Sequence, residues 1–280
     1  MCRKHSVTTM LPRAILFDLD DTLFDHRRAS GVALHAMHAA YAPDLPLGVF
    51  ETRHAELLEV FHTRFLAGEM SLDEARVARM QSLFAAFGRE IDVATARHSA
   101  SLYREQHQAN RHLVEGAREL LDSLSQHCRL GIVTNNSAAE QIEKLRALNI
   151  ASYFDTVVIS EDVGVTKPDP RIFSLALERI GARAHEAVFI GDSLDNDIAG
   201  AVNLGVAAVW LCRESKTQAL ARLAGQKWLN HRVSTGLSLS QIEIISSLAP
   251  ATSVVAAIKS AFNHRTPGAI EHEQLETLAS

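Results

Sequence analysis

The chain has 280 residues, 47% of them hydrophobic and 22% charged, the usual balance for a soluble globular protein of one large domain or two modest ones. A net charge of −5 gives no strong pull toward a nucleic acid polymer or an anionic membrane, and nowhere do the roughly 18 apolar residues of a membrane span run together. The three cysteines form no C-x-x-C, which argues against a disulfide framework and for a reducing compartment, the cytoplasm. The 14 histidines show no zinc spacing.

Met1 to Arg13 is basic but has no apolar core, so it does not read as a secretory signal. Residues 1–9 are either a dispensable arm or an over-extended start. Ala14-Ile-Leu-Phe17 reads as a buried strand that runs into a cluster of aspartates. From His26 to Asn110 the pattern is helical. Phe50, His54, Leu57, Leu58, Phe61 and Phe65 share one helical face, and Met80, Leu83, Phe84 and Phe87 share another. Ser71-Leu-Asp-Glu74 fits a capping box, and Pro43 and Pro46 mark a turn. No internal repeat is visible.

Beyond the insert, strands and helices alternate. Strands are expected at 130–134, 156–159, 187–190 and 206–211. Helices are expected around 120–124 and at 138–148, 171–180, 196–204, 217–224 and 253–262. Apolar strands separated by amphipathic helices imply an α/β fold, with a parallel sheet covered by helices on both faces. The division expected is a core of residues 11–25 and 111–250, a helical insert at 26–110, and a C-terminal helix with a loose tail at 251–280.

Ligands of such sheets sit beyond the carboxyl ends of the strands. That rule selects Asp18-Leu-Asp20-Asp-Thr22, Thr134-Asn135, the loop to Lys167-Pro168 and Gly191-Asp192-Ser-Leu-Asp195-Asn-Asp197. Each segment alone also suits a cap or a turn. Together they gather four or five carboxylates at one sheet edge. Crowded like charges raise one another's pKa, and a hard divalent cation relieves them; oxygen-only ligands point to Mg²⁺. A lysine beside them offsets charge on a transferring phosphoryl group.

These four motifs, in this order, resemble the haloacid dehalogenase (HAD) superfamily of hydrolases, over roughly Arg13 to Leu248. The resemblance implies a Rossmann-like core with the insert as an all-α cap between the first and second motifs. It also implies a phosphatase of small phosphorylated metabolites, of nucleoside monophosphate or sugar phosphate type. Asp18 would be the covalent nucleophile and a Mg²⁺ ligand. Asp20 would be the acid and base, with its backbone carbonyl on the metal, and Asp192 the second carboxylate ligand. Asp197 would orient a ligand or metal-bound water, or bond Lys167. Thr22, Thr134 and Asn135 would position phosphate, and Lys167 would balance charge. Asp21 and Asp195 receive no role. Arg64, Arg76 and Arg79 in the insert are cations that could meet an anionic substrate, but solvated helix faces are the favoured expectation for them.

Two other enzyme readings are weaker. Haloacid dehalogenation is disfavoured by Asp20, and phosphonate cleavage by the absence of any lysine from residues 26–110. A catalytically silent binding or regulatory module would normally have lost the nucleophile or a metal ligand. None is lost here. Oligomeric state cannot be read from the sequence.

Overall fold

Four apolar side chains without a polar interruption make β1 (Ala14–Phe17) a strand buried on both faces. The computed structural model describes residues 11–228 and 241–264, so the expectations for residues 1–9 and for the tail after His264 fall outside it. After β1 come the four helices of the insert: α1 (His26–Tyr41), α2 (Leu47–Leu66), α3 (Leu72–Ala85) and α4 (Val93–Ala109). The chain then runs α5 (Ala117–Ser125), β2 (Arg129–Thr134), α6 (Ala138–Ala147), β3 (Thr156–Ile159), α7 (Ser160–Val163) and α8 (Pro170–Ile180). It ends β4 (Ala187–Gly191), α9 (Ala199–Asn203), β5 (Ala207–Leu211), α10 (Lys216–Ala224), β6 (Ile242–Ile245) and α11 (Ala251–Asn263).

Among the described residues the sheet is parallel throughout, in the order β3-β2-β1-β4-β5-β6. Phe17 lies opposite Ile132 on one side and Ile190 on the other. The chain winds outward from β1 to β3, returns beside β1 as β4, and then winds the other way. The carboxyl ends of β1 and β4 therefore flank the topological switch point, where a crevice opens.

Alternation along β1 divides the core into two layers. Ile15 and Phe17 pack with Leu120, Leu121 and Leu124 of α5 and with Val254 and Ile258 of α11. Leu16 packs on the other face with Phe173 and Ala176 of α8 and Ala201 of α9. Helix α11 thus joins the same buried cluster as β1, and Pro250 marks no break in packing.

The insert has an apolar cluster of its own, in which Met37, Phe50, Met80, Leu83 and Phe84 are buried. Its α2 buries Phe50, His54, Leu57 and Phe61, while Leu58 and Phe65 sit at the margin. At the start of α3 the Glu74 N–H donates to Ser71 Oγ and the Ser71 N–H donates to Glu74 Oε2. The two chain crossings run side by side: the Asp25 N–H donates to His112 O and the Val114 N–H to Leu23 O.

Three elements differ from the sequence reading, the first being the short helix α7, which follows β3 where a loop was expected. Strand β6 was not expected, because four residues with a glutamate among them give little period to read, and only Ile242 is buried at this edge. Residues 194–198, expected to begin an ordinary helix at Asn196, form a wider π turn ahead of α9.

Gly116 caps α5 at φ +82, and a Cβ there would lie 2.7 Å from the backbone of Leu248. Left-handed strain of about 1–2 kcal/mol adds to overpacking of about 1–3 kcal/mol. Gly116→Ala should therefore lower the unfolding free energy by roughly 2–5 kcal/mol in urea denaturation, with an unchanged m-value.

Candidate active site

Asp18 is the first residue beyond β1. Its N–H donates to Ile190 O, continuing the ladder, so its side chain is fixed at the crevice floor. It is 5% exposed. Lys167 Nζ lies 2.6 Å from Asp18 Oδ1 and 2.6 Å from Asp197 Oδ1, and all three groups are buried. The Lys167 backbone is clamped by Asn135, whose Oδ1 accepts its N–H and whose Nδ2 donates to its carbonyl. Asp197 Oδ2 accepts the Ser193 N–H at 3.0 Å. The π turn brings the Asp197 carboxyl over Gly191, where any Cβ would collide with it.

Asp192 follows β4. One carboxylate oxygen from each of Asp18, Asp192 and Asp197 lies within 4.8 Å of the others. Burial, with the charges of Asp18, Asp197 and Asp21, pushes Asp192 up to about 8, against a modest offset from Arg27 at 3.7 Å. Asp18 is pushed up to about 7 by burial, aided by Asp197 and Asp20; the Lys167 charge opposes this but does not cancel it. Burial acts against the Lys167 ammonium, yet the two carboxylates outweigh it and raise its pKa. One buried cation, with the exposed Arg27 at the rim, thus faces three carboxyls.

Asp20 has a separate set of partners. Lys144 Nζ lies 2.6 Å from Oδ1, Gln141 Nε2 donates to Oδ2 at 3.0 Å, and Asn136 Nδ2 stands at 3.5 Å. Burial would raise the Asp20 carboxyl, but Lys144 and the hydrogen bonds hold it well below the ordinary carboxylate range. Gln141 Nε2 also donates to Thr134 Oγ1 at 2.6 Å.

These groups floor a cleft of about 1020 Å³ whose walls and roof come from α1 to α4. Leu34, His54, Phe61, Arg79 and Tyr103 line it from the insert, and Asp18, Asp20, Asn135, Lys144 and Asp192 from the core. Arg76 and Arg104 reach from the insert to Glu140 at 2.8 and 3.3 Å, tying α3 and α4 to α6. Burial alone would raise Glu140, but Arg76 and Arg104 hold it low.

Asp18, Asp20, Thr134, Asn135, Lys167, Asp192 and Asp197 all line this cleft. Thr22 does not: it is fully buried away from the cleft, with its hydroxyl unpartnered. Of the insert arginines, Arg64 is a surface residue paired with Glu69. The expectation of solvated helix faces is wrong for Arg79, which is 7% exposed, and for Arg76, which is held by Glu140. Lys144 and Gln141 were missed. Their signal is positional, since both sit beside Leu145 and Leu148 on the buried stripe of α6, where a lysine and a glutamine are out of place.

The donor set suits a hard cation. Asp18, Asp192 and Asp197 offer only oxygens, and two of the three carboxyls have pKa values raised by burial and, further, by neighbouring carboxylates, a strain that a bound cation would relieve. Among the described residues no helix is long and apolar enough to cross a membrane.

The profile of the haloacid dehalogenase-like hydrolases matches residues 15–211. The glyceraldehyde 3-phosphate phosphatase of Methanothermobacter thermautotrophicus is 31% identical over 236 residues, covering 84% of this chain and 97% of that protein. The ribulose-1,5-bisphosphate 5-phosphatase of Halopiger xanaduensis is 31% identical over 235 residues, covering 79% and 95%. The magnesium-bound crystal structure of the HAD-hydrolase YfnB of Bacillus subtilis aligns with a TM-score of 0.64 at 30% identity, covering 74% of this chain and 92% of that one. The matched stretch runs from β1 through β5 and carries every residue of the Asp18 and Asp20 clusters, so this chain belongs to the haloacid dehalogenase-like hydrolases and is a hydrolase.

Proposed function

We propose that the protein is a Mg²⁺-dependent phosphomonoester hydrolase that acts on a small phosphorylated metabolite through a phosphoryl group carried on Asp18. The observation that carries this reading is Asp18 itself, a buried carboxylate at the cleft floor beside Lys167 and two further carboxyls. The phosphatase names of the two relatives above support it. A haloacid substrate is disfavoured by Asp20, a proton carrier for which dehalogenation has no use.

Asp18 Oδ1 is engaged by Lys167, while among the described residues Oδ2 takes no hydrogen bond, so Oδ2 is the atom that attacks phosphorus. The P–O bond to the leaving group breaks and its electron pair stays on the departing oxygen. Water then attacks phosphorus, the bond to Asp18 breaks, and inorganic phosphate leaves. Lys167 and Asn135 hold the charge and shape of the phosphate pocket. A bound Mg²⁺, held by Asp18, Asp192 and the Asp20 carbonyl with Asp197 beside them, would keep the carboxylates ionised and withdraw charge from the phosphoryl oxygens.

Asp20 is the proton carrier in this scheme. Its ion pair with Lys144 favours the ionised form, which suits it to take a proton from water. Donating a proton to the leaving oxygen requires that pair to loosen when substrate enters. We propose further that α1 to α4 serve as a cap that excludes water and reads the substrate, latched by Arg76 and Arg104 on Glu140.

Three outcomes test this scheme. Asp18→Asn should reduce p-nitrophenyl phosphate turnover by at least about 10³-fold, with a metal-free Tm equal to or above that of the wild type because one crowded carboxylate is gone. Near-normal turnover in that variant would remove the covalent route.

The second concerns pH. Asp18 and Asp192 have raised pKa values, so each favours the folded state when protonated and loses that contribution as pH rises through about 7 and about 8. Mg²⁺ competes with those protons. The Tm increment on adding Mg²⁺ should therefore grow between pH of about 5.5 and about 8.5, and Asp192→Asn should abolish it. A flat increment would argue against Asp18 and Asp192 as ligands.

For the third, Lys144→Met removes the charge that depresses Asp20. The acid limb of the kcat/KM profile should move up by at least about one pH unit. An unmoved limb would assign the proton work to another group.

A further inference from the structure

Six arginines and lysines face the cleft, and five have a carboxylate partner there. Lys167 is held by Asp18 and Asp197, Lys144 by Asp20, Arg27 by Asp21 and Asp192, and Arg76 and Arg104 by Glu140. Arg79 is the exception. It lies on α3, 7% exposed, and among the described residues no carboxylate comes within ion-pair distance of it. Its Nε is buried without a hydrogen-bond partner. Its guanidinium rests over the face of Tyr103, 5.0 Å from the ring centroid.

A charge taken out of water without a partner is costly. Two polar atoms beside it are also unsatisfied. The Tyr103 hydroxyl and His54 Nε2 are buried with no partner, and the two rings touch at 5.0 Å between centroids. Burial and the Arg79 charge push His54 down to about 3, so its imidazole is neutral and brings no competing cation. Arg79, Tyr103 and His54 all line the cleft that opens onto Asp18. This roof therefore presents a guanidinium, a hydroxyl and an imidazole that find no hydrogen-bond or ion-pair partner among the described residues, a set that matches an anionic group arriving with the substrate.

We propose that Arg79, with Tyr103 and His54 beside it, binds a second anionic group of the substrate. The natural substrate is then a phosphomonoester that also bears a carboxylate or a second phosphate, rather than a phosphorylated neutral polyol or aldehyde. This assignment rests on the phosphatase reading for the ester end of the molecule, and on Arg79 alone for the other.

The test uses the full-length chain with Mg²⁺ and compares kcat/KM within matched pairs. The carboxylate arm sets 3-phosphoglycerate against glycerol 3-phosphate; the phosphate arm sets fructose 1,6-bisphosphate against fructose 6-phosphate. The wild type should prefer the more anionic member in one arm by about tenfold or more, and that arm names the group. Arg79→Met should cut the preference by about tenfold, mainly through KM, and Arg79→Lys should keep part of it. A ratio is internal to each preparation, so a partly folded variant cannot mimic the loss. Removing an unpaired buried charge should also leave the ligand-free Tm of Arg79→Met equal or higher. A preference that survives Arg79→Met in both arms, or a lowered Tm with no change in preference, would make Arg79 a packing residue and overturn the proposal. Equilibrium binding of the same four esters to Asp18→Asn, with and without Arg79→Met, separates the two readings. If the wild type hydrolyses none of them, the phosphatase reading fails; discrimination in binding that depends on Arg79 still upholds the anion site, and its absence there sinks it.

Discussion

A single ammonium, Lys167 Nζ, stands 2.6 Å from both Asp18 and Asp197 at the bottom of a buried crevice. The surrounding architecture serves that contact. Asn135, at the end of β2, grips the Lys167 backbone on both sides. The π turn after β4 delivers Asp197, and Gly191 has no side chain because the Asp197 carboxyl occupies that space. Parallel pairing of β1 with β2 and β4 brings the three segments to one edge. Displacing the Lys167 backbone would strip the ammonium from both of its carboxylates at once, and a buried charge left uncompensated costs about 3–5 kcal/mol. The core is therefore built around keeping one lysine among several carboxylates.

The balance is incomplete, and its incompleteness points to chemistry. Lys167 neutralises one charge and the exposed Arg27 offsets part of another, but Asp18, Asp192 and Asp197 bring three carboxyls. Asp20 adds only a minor push on Asp18, because Lys144 is paired with it. Two neighbouring aspartates of one motif thus live in opposite electrostatic settings: Asp18 and Asp192 have raised pKa values, and Asp20 a lowered one. Carboxyls whose environments drive their pKa values apart can divide labour between attack and proton transfer.

What the sequence could reveal follows from range. The β1, β2, β4 and β5 strands were readable because each is an apolar run bounded by turn or helix residues, and the Ser71 capping box because its contacts span three residues. Asp18 and Asp192 could be placed at one cleft because strand ends in a parallel sheet select them without reference to side-chain contacts, and Lys167 joins them there from the segment after β3. The Asp20–Lys144 pair joins residues 124 positions apart, and no local pattern encodes such a contact. Thr22 shows the opposite case, a motif position that is buried and does not line the cleft. Arg79 was misjudged because a helical wheel gives the face of a residue but not what covers it. In a short insert with a cleft on its inner side, the face toward the core is the buried one.

The cleft is polarised in a way that the net charge of −5 conceals. Its floor carries the excess carboxyls, and its roof carries the unpaired guanidinium of Arg79. Helices α3 and α4 are tied to α6 by Arg76 and Arg104 on Glu140, so the roof is secured by charges that are already satisfied and Arg79 remains unspent. An anionic substrate entering such a cleft meets opposite demands at its two ends. At the floor its phosphate is tolerated only where a cation and Lys167 offset the carboxyls; at the roof a second negative charge is favourable from the outset. The orientation of the substrate is then set before any bond is made, by the end of the molecule that does not react. On the proposed reading, binding falls to the insert and bond-breaking to the sheet edge, which gives the buried Arg79 a task beyond its contact with the Tyr103 ring.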